Sequence, residues 1–385
     1  MRIAIITPFY PPSIGGVETI AQDTAIELAK RGYSVHVLTT THDSEWKKVA
    51  DSGMSQEEGV IVHRLEFSWI KVGNATIMKE LRQAMNKITP EIVHAHNLHP
   101  HLLQAIKWKK DFAYRIVAQL HHPIATGIDH LLARAIYPLT MRYMVRKQNK
   151  IDMFVAHTDL EREWLVEEGI DSQKIHIVNY PCVPSHLLNY TPKPTCKLEY
   201  PEKFVVLYVG RLAWRKGIHT LLEALRRVNI ELDNVVAVIA GPRNERYYGL
   251  LHKLAYDLDL EGHVFFKRSL SDSEKYDYMG SCTVFSSPSI RDYTPITLIE
   301  AQALGTPVIS TTVGSIPAIV KNRQTGLLVR PEDSEELAKA IKRVILDHRE
   351  RNRLGANARQ WIAENFLLES TVDKLERLYE SIRFA

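Results

Sequence analysis

The chain has 385 residues, 45% hydrophobic and 24% charged. At roughly 150 residues per domain this is enough for two to three domains with cores of their own, and it excludes wholesale disorder. Forty-nine basic against 45 acidic residues leave a formal net charge of +4, without the concentrated basic excess of a nucleic-acid binder, so no nucleic-acid partner is expected.

The opening MRIAIITPFYPP is a short apolar run halted by Pro8, too short for a signal segment or a membrane span. The three cysteines, Cys182, Cys196 and Cys282, include no CxxC pair, which suits a reducing compartment and a cytoplasmic protein. Residues 3–7 read as a strand, and residues 17–28 place Val17, Ile20, Ala21, Ala25 and Leu28 on one helical face. A strand over 35–39 follows. Strand and helix then alternate: strand 60–67, helix 76–88, strand 92–95, helix 102–109, strand 115–120, helix 129–148, strand 153–156, helix 159–168. Between 179 and 203 the periodicity disappears and five prolines occur, so residues 181–203 are expected to be a linker. A second series runs from a strand at 204–209 to a strand at 326–329, and the tail from Ser334 is helical. The expected fold class is α/β, with two doubly wound Rossmann-like domains facing a central cleft. The expected boundaries are 1–180, 204–365, and a final helix over 366–385.

The chemistry is expected where strands end. Gly15 and Gly16 precede the first helix, where backbone N–H groups and the helix dipole favour an anion. Neither GxGxxG nor GxxxxGK[ST] occurs, so nicotinamide dehydrogenases and P-loop NTPases lose support. The second series opens with Gly210-Arg211-Leu212-Ala213-Trp214-Arg215-Lys216-Gly217 between strand and helix. There Arg211 offers a planar fork to phosphate and Lys216 a compact charge; the plain alternative is a solvated basic turn. In Pro288-Ser289-Ile290-Arg291-Asp292-Tyr293-Thr294-Pro295-Ile296-Thr297-Leu298-Ile299-Glu300, Thr294 is expected to cap a helix with Pro295 at its first position. Asp292 and Glu300 then face one crevice, where two carboxylates can grip sugar or ribose hydroxyls.

These three motifs in this order resemble the retaining glycosyltransferases of family 4, which have the GT-B fold. The resemblance runs over nearly the whole chain, from YPPSIGGVE through GRLAWRKG to the acid-x7-Glu block and EAQALGTPV. It implies a transferase moving a sugar from a nucleotide diphosphate donor, UDP- or GDP-linked, to a glycan, lipid-linked or small-molecule acceptor. If Arg211 and Lys216 neutralise the diphosphate, no divalent metal is needed, and no cofactor is expected. Gly15 and Gly16 would lie by the donor phosphates and acceptor. Arg211 and Lys216 would bind the diphosphate, Glu300 the ribose hydroxyls, and Thr297 would belong to the donor site. Asp292 would lie by the transferred sugar, as would His121, and His96 and Glu18 are placed on the acceptor side. The resemblance also suggests a front-face reaction, and a final helix that returns to the first half. The sequence departs from the family in having Asp292 for the usual Glu, Pro295 for the usual Gly, and Tyr180-Pro181 where Asn-Gly is frequent. Other readings are a GT-B phosphorylase or epimerase, a nucleotide-sugar-binding protein without catalysis, and a metallohydrolase.

The last of these comes from the 17 histidines. His94 and His96 share one side of a strand, with His99, His101, His121 and His122 nearby, a pattern that can ligate zinc. No Cys, Asp or Glu clusters with them apart from Glu91, so no metal site is expected. Asp257-Leu258-Asp259 reads as a solvated helix terminus. Residues 133–150 carry Arg134, Arg142, Arg146, Lys147 and Lys150 with no acid among apolar residues. That is the pattern of a core-packed helix with a basic face, or of one in peripheral contact with the inner membrane surface.

Overall fold

Val205 and Leu207 face one side of a strand and Val206 and Tyr208 the other, and all four are buried. A strand buried on both faces reads as a continuous apolar run, the mark of a parallel sheet covered twice by helices. The computed structural model describes residues 1–13, 15–43, 47–72, 75–97, 100–120, 131–242, 244–292 and 294–383. The chain divides into two compact units, Met1–Tyr180 with Leu368–Ala385, and Pro181–Leu367.

Unit 1 contains β1 (Arg2–Ile6), α1 (Gly16–Lys30), β2 (Ser34–Thr40), β3 (Gly53–Glu57), β4 (Val60–Leu65), β5 (Phe67–Val72), β6 (Ala75–Met78), α2 (Leu81–Ile88), β7 (Ile92–His96), α3 (Pro100–Trp108), β8 (Arg115–Gln119), α4 (Leu131–Arg146), β9 (Met153–Ala156), α5 (Asp159–Glu167) and β10 (Ile175–Ile177). Its eight-stranded sheet has the order β10-β9-β8-β7-β1-β2-β4-β3, parallel except for the edge strand β3. The order turns at β1, which lies between β7 and β2. The helix expected from Thr76 starts only at Leu81, because the β-forming Ala75–Met78 segment pairs with β5 as a separate antiparallel ribbon. No helix among the described residues is long and apolar enough to cross a membrane.

Unit 2 contains α6 (Thr195–Glu199), β11 (Phe204–Val209), α7 (Ile218–Asn229), β12 (Val235–Ala240), α8 (Glu245–Asp257), β13 (Val264–Lys267), α9 (Asp272–Ser281), β14 (Val284–Ser287), α10 (Ile296–Ala303), β15 (Val308–Thr311), α11 (Ile316–Ile319), β16 (Gly326–Val329), α12 (Ser334–Leu346) and α13 (His348–Asn365). The six strands are all parallel, in the order β13-β12-β11-β14-β15-β16, so this sheet turns between β11 and β14. One face packs Val206, Tyr208 and Ile239 on α7, α8 and α12; the other packs Val205, Leu207 and Val238 on α9 and α10.

Residues 181–203 are not a linker. Val183, Leu187, Cys196 and Tyr200 are buried in the second core of unit 2, and Tyr190 Oη and the Lys193 N–H donate to Asp277 Oδ1 at 2.8 and 3.0 Å. The prolines interrupt the periodicity, but the apolar residues between them still find the sheet. The chain re-enters unit 1 as α14 (Leu368–Arg383), which buries Leu368, Thr371, Val372, Leu375 and Tyr379 along one stripe. Arg31 at the end of α1 holds this helix, reaching Asp373 and Glu376 at 2.5 Å and the Glu369 carbonyl at 2.9 Å.

Candidate active site

The loops after β11 and β14 meet at the turning point of the unit 2 sheet, where open α/β sheets bind ligands. The Arg215 carbonyl accepts the backbone N–H groups of Ile290 and Arg291 at 2.8 and 3.0 Å. Gly217 makes the approach feasible: its φ is +67°, and a Cβ there would lie 1.9 Å from the Pro288 carbonyl oxygen. Zipping the loops together brings Lys216 Nζ onto Asp292 Oδ2, which also accepts from Ser289 Oγ at 3.1 Å. Burial pushes the Asp292 pKa up, but the Lys216 ammonium overrides it and holds the carboxyl below its ordinary range. Arg211 is exposed at the start of the same loop, its carbonyl fixed by Tyr208 Oη at 3.0 Å.

Pro295, expected inside the helix, is the N-cap of α10, and no side chain among the described residues caps that end. Proline closes the preceding loop in extended geometry, and Thr294 forms no cap. The helix begins at Ile296, leaving Thr297 in its first turn and Glu300 in its second. Glu300 is only 4% exposed. Its Oε1 accepts from Lys275 Nζ at 2.7 Å, whereas its Oε2 is buried with no hydrogen-bond partner among the described residues. Although burial works against it, the Glu300 charge raises the Lys275 pKa above its ordinary value. Sequence reading missed Lys275 and Ser289, because a lone lysine in a polar helix and a serine in a loop carry no spacing signal.

In unit 1, Gly15 is the N-cap of α1, and a Cβ there would lie 2.2 Å from Glu18 Oε2. The space that glycine leaves is therefore taken by the Glu18 carboxylate, 7% exposed in the first turn of the helix. Next to Gly16 no described residue comes within 4 Å of a Cβ. His121 lies outside the described residues.

His96 and His94 stack at the end of β7 with ring centroids 4.8 Å apart. They are tied into the fold rather than displayed as a pair: His94 Nδ1 and Tyr379 Oη of α14 are 2.6 Å apart, and His101 Nε2 donates to the His96 carbonyl at 2.9 Å. Beside them His157 Nε2 and Gln119 Nε2 are 3.1 Å apart, and the His157 backbone N–H donates to Glu161 Oε2 at 2.6 Å. Asp257 ends α8 and pairs with Lys253, while Asp259 pairs with Arg226.

Burial lowers the pKa of His94 to about 4 and of His157 to about 3, and raises that of Glu161 to about 8. Both imidazoles are therefore neutral in the native protein. As pH falls below 6.5, the ordinary histidine value, the unfolded chain binds protons that the native state refuses, and stability declines towards about pH 4. Glu161 acts in the opposite sense, its stabilising proton being lost as pH rises towards about 8. His94→Asn is expected to melt lower at neutral pH and to lose less on acidification, as read by thermal unfolding between pH 7 and 4.5. An unchanged acid slope rules out His94 as a source of it.

Two Rossmann-like units, each with a glycine-bearing loop at the turning point of its sheet, are the parts of a GT-B glycosyltransferase. A model of glycosyltransferase family 4 matches residues 14–181, and one of the glycosyl transferases group 1 matches residues 195–361. Among curated relatives, an uncharacterized glycosyltransferase of Methanocaldococcus jannaschii is 24% identical over 99% of this chain and 98% of its own. D-inositol 3-phosphate glycosyltransferase of Stackebrandtia nassauensis is 27% identical, covering 98% and 91%. A GDP-mannose-dependent phosphatidylinositol monomannoside mannosyltransferase of Mycobacterium tuberculosis is 22% identical over 97% of each chain. Among solved structures, sucrose-phosphate synthase from Thermosynechococcus elongatus superposes with a TM-score of 0.83 at 20% identity, covering 99% of this chain and 98% of that one. Anabaena HepE in complex with UDP does so with 0.81 at 19% identity, covering 99% and 100%. The chain belongs to the family 4 glycosyltransferases and has the GT-B fold.

Proposed function

We propose that this glycosyltransferase moves a sugar from a nucleotide diphosphate donor with retention at the anomeric carbon, and that unit 2 holds the donor. The observation that carries the reading is Glu300, a buried carboxylate with one oxygen fixed by Lys275 and the other without a partner among the described residues. Leaving a buried charged acceptor unmade costs more than the roughly 1–3 kcal/mol of a neutral one. A ribose diol supplies the missing donors. Arg211 and Lys216 hold the diphosphate, Thr297 stands at the uncapped start of α10, and Asp292 adjoins the transferred sugar. With fixed cations taking up the charge of the leaving diphosphate, no divalent metal is needed. His121 contributes at the transferred sugar, and Gly15, Gly16, Glu18 and His96 belong to the acceptor side, which takes a glycan, lipid-linked or small-molecule acceptor. The leaving phosphate accepts the acceptor's proton, so no side chain forms a covalent intermediate. For the base, UDP is supported by the Anabaena HepE complexes with UDP and UDP-glucose, and GDP by the GDP-mannose-dependent relative.

Thermal unfolding across UDP-, GDP- and ADP-sugars tests the donor. At 100-fold excess over Kd a ligand bound only by the native state adds about 2.7 kcal/mol, so one base series is expected to raise the melting point. No shift with any of them overturns the nucleotide-sugar reading. With the donor known, transfer is expected to continue in EDTA and the product to keep the donor's anomeric configuration by NMR. Loss of activity in EDTA with rescue by a divalent ion contradicts the assignment of the charge to Arg211 and Lys216.

A further inference from the structure

The outer face of α4 is built unlike that of an ordinary solvated helix. Met141 and Met144 are fully buried and hold the helix to unit 1. On the other side Leu139 is 66% exposed and Tyr143 43%, and Arg142 and Arg146 are exposed beside them. Positions 139, 142, 143 and 146 follow the i, i+3, i+4, i+7 spacing of one helical stripe, so large apolar and cationic side chains alternate along it. There is no acidic residue from 131 to 151, and Lys147 and Lys150 extend the charge beyond the last turn. Neither Arg142 nor Arg146 forms an ion pair with a described residue.

The stripe is firmly mounted. Gln148, just past the helix, donates from Nε2 to the Gly169 carbonyl at 3.0 Å and accepts the Asp171 N–H at 2.8 Å. Lys174 Nζ donates to the carbonyls of Gln148 and Ile151 at 2.8 and 2.9 Å. A face offered by a fixed helix costs little ordering when it binds.

We propose that this stripe docks unit 1 on an anionic lipid surface, with Leu139 and Tyr143 entering the headgroup boundary and Arg142, Arg146, Lys147 and Lys150 facing the lipid phosphates. Arginine and lysine beside leucine and tyrosine match an interface that is anionic at the headgroups and apolar just beneath. A second copy of the face would bring cations against cations, which disfavours a symmetric dimer through it. A nucleic-acid backbone would use the cations and leave Leu139 without a role. The inference does not depend on the donor or on catalysis, and its test has no activity readout.

The experiment is flotation of the full chain with vesicles of phosphatidylcholine alone or mixed with phosphatidylglycerol, at low and high salt. Binding is expected only with phosphatidylglycerol and is expected to weaken with salt. Each arginine contributes roughly five-fold to such partitioning, so Arg142→Glu/Arg146→Glu is expected to lower it by more than about 25-fold. Leu139→Ser/Tyr143→Ser leaves the charge intact and is expected to reduce binding as well. All four side chains are exposed, so both variants should melt like the parent, which melting curves check. The proposal is overturned if the parent does not float with phosphatidylglycerol, or if the serine variant floats as well as the parent. It is equally overturned if the parent forms a dimer that the arginine variant abolishes.

Discussion

Lys216→Ala is expected to lower kcat/KM by about 100- to 1,000-fold, the range for removing one preorganised charge-stabilising donor from a transferase-type transition state. The protein should stay folded, because Lys216 sits on a loop at the end of a sheet whose core it does not enter. The substitution also strips Asp292 of its principal counter-charge. Burial is then opposed by Arg215 and the Ser289 hydrogen bond without the lysine, the Asp292 pKa rises, and any limb of the pH–rate profile that depends on this carboxylate moves to higher pH. Lys216→Arg keeps the charge without the geometry and is expected to recover part of the rate. Arg211→Ala removes an exposed guanidinium and should leave the melting point alone, so a loss of rate there reports on the donor. The measurements are kcat/KM against pH and thermal unfolding for each variant. Near-normal turnover in Lys216→Ala sinks the diphosphate assignment, and a rate loss matched by a large fall in melting temperature reassigns the residue to loop structure.

The alternation of elements was readable because a doubly covered parallel strand leaves a continuous apolar run, as in 204–209, and a covering helix leaves a 3.6-residue stripe, as in α14. What was not readable depends on contacts distant in sequence. Proline density made 181–203 look like a linker, since nothing local shows that Cys196 and Tyr200 bury against β11 and its neighbours. Edge strand β3 is exposed along most of its length, so no pattern marks it. At the site, Arg211, Lys216, Asp292 and Glu300 stood out through motif order. Which of them touch did not: the Lys216–Asp292 pair joins residues 76 apart, and Lys275 reaches Glu300 across 25. In the Gly15-Gly16 pair, spacing marked both residues as room for a ligand, whereas one of the two accommodates Glu18.

Gly217→Ala is expected to be more damaging than Gly15→Ala or Gly16→Ala, and the reason is the loop junction itself. A left-handed backbone costs an alanine about 1 kcal/mol. The added methyl would also meet the Pro288 carbonyl at 1.9 Å, an obstacle made of backbone rather than of a flexible side-chain end. Relief requires the β11–α7 and β14–α10 loops to part by more than about an ångström, further than packed interiors yield without cost. Parting them endangers the two hydrogen bonds accepted by the Arg215 carbonyl, each worth about 1 kcal/mol net. The sum, about 3 kcal/mol, corresponds to a melting point lower by roughly 6–12 °C for a domain of this size. Donor affinity should fall with it, because the same displacement draws Lys216 away from Asp292. Gly15→Ala meets only the end of the Glu18 side chain, which can swing aside, and should cost less. Gly16→Ala meets no described residue within 4 Å and should leave the melting point unchanged, so that a loss of transfer there marks close approach by a substrate. Calorimetric unfolding and nucleotide-sugar titration of the three variants decide the matter. If Gly217→Ala melts with the parent, the two loops are not held together through this contact, and the pairing of Lys216 with Asp292 needs another cause.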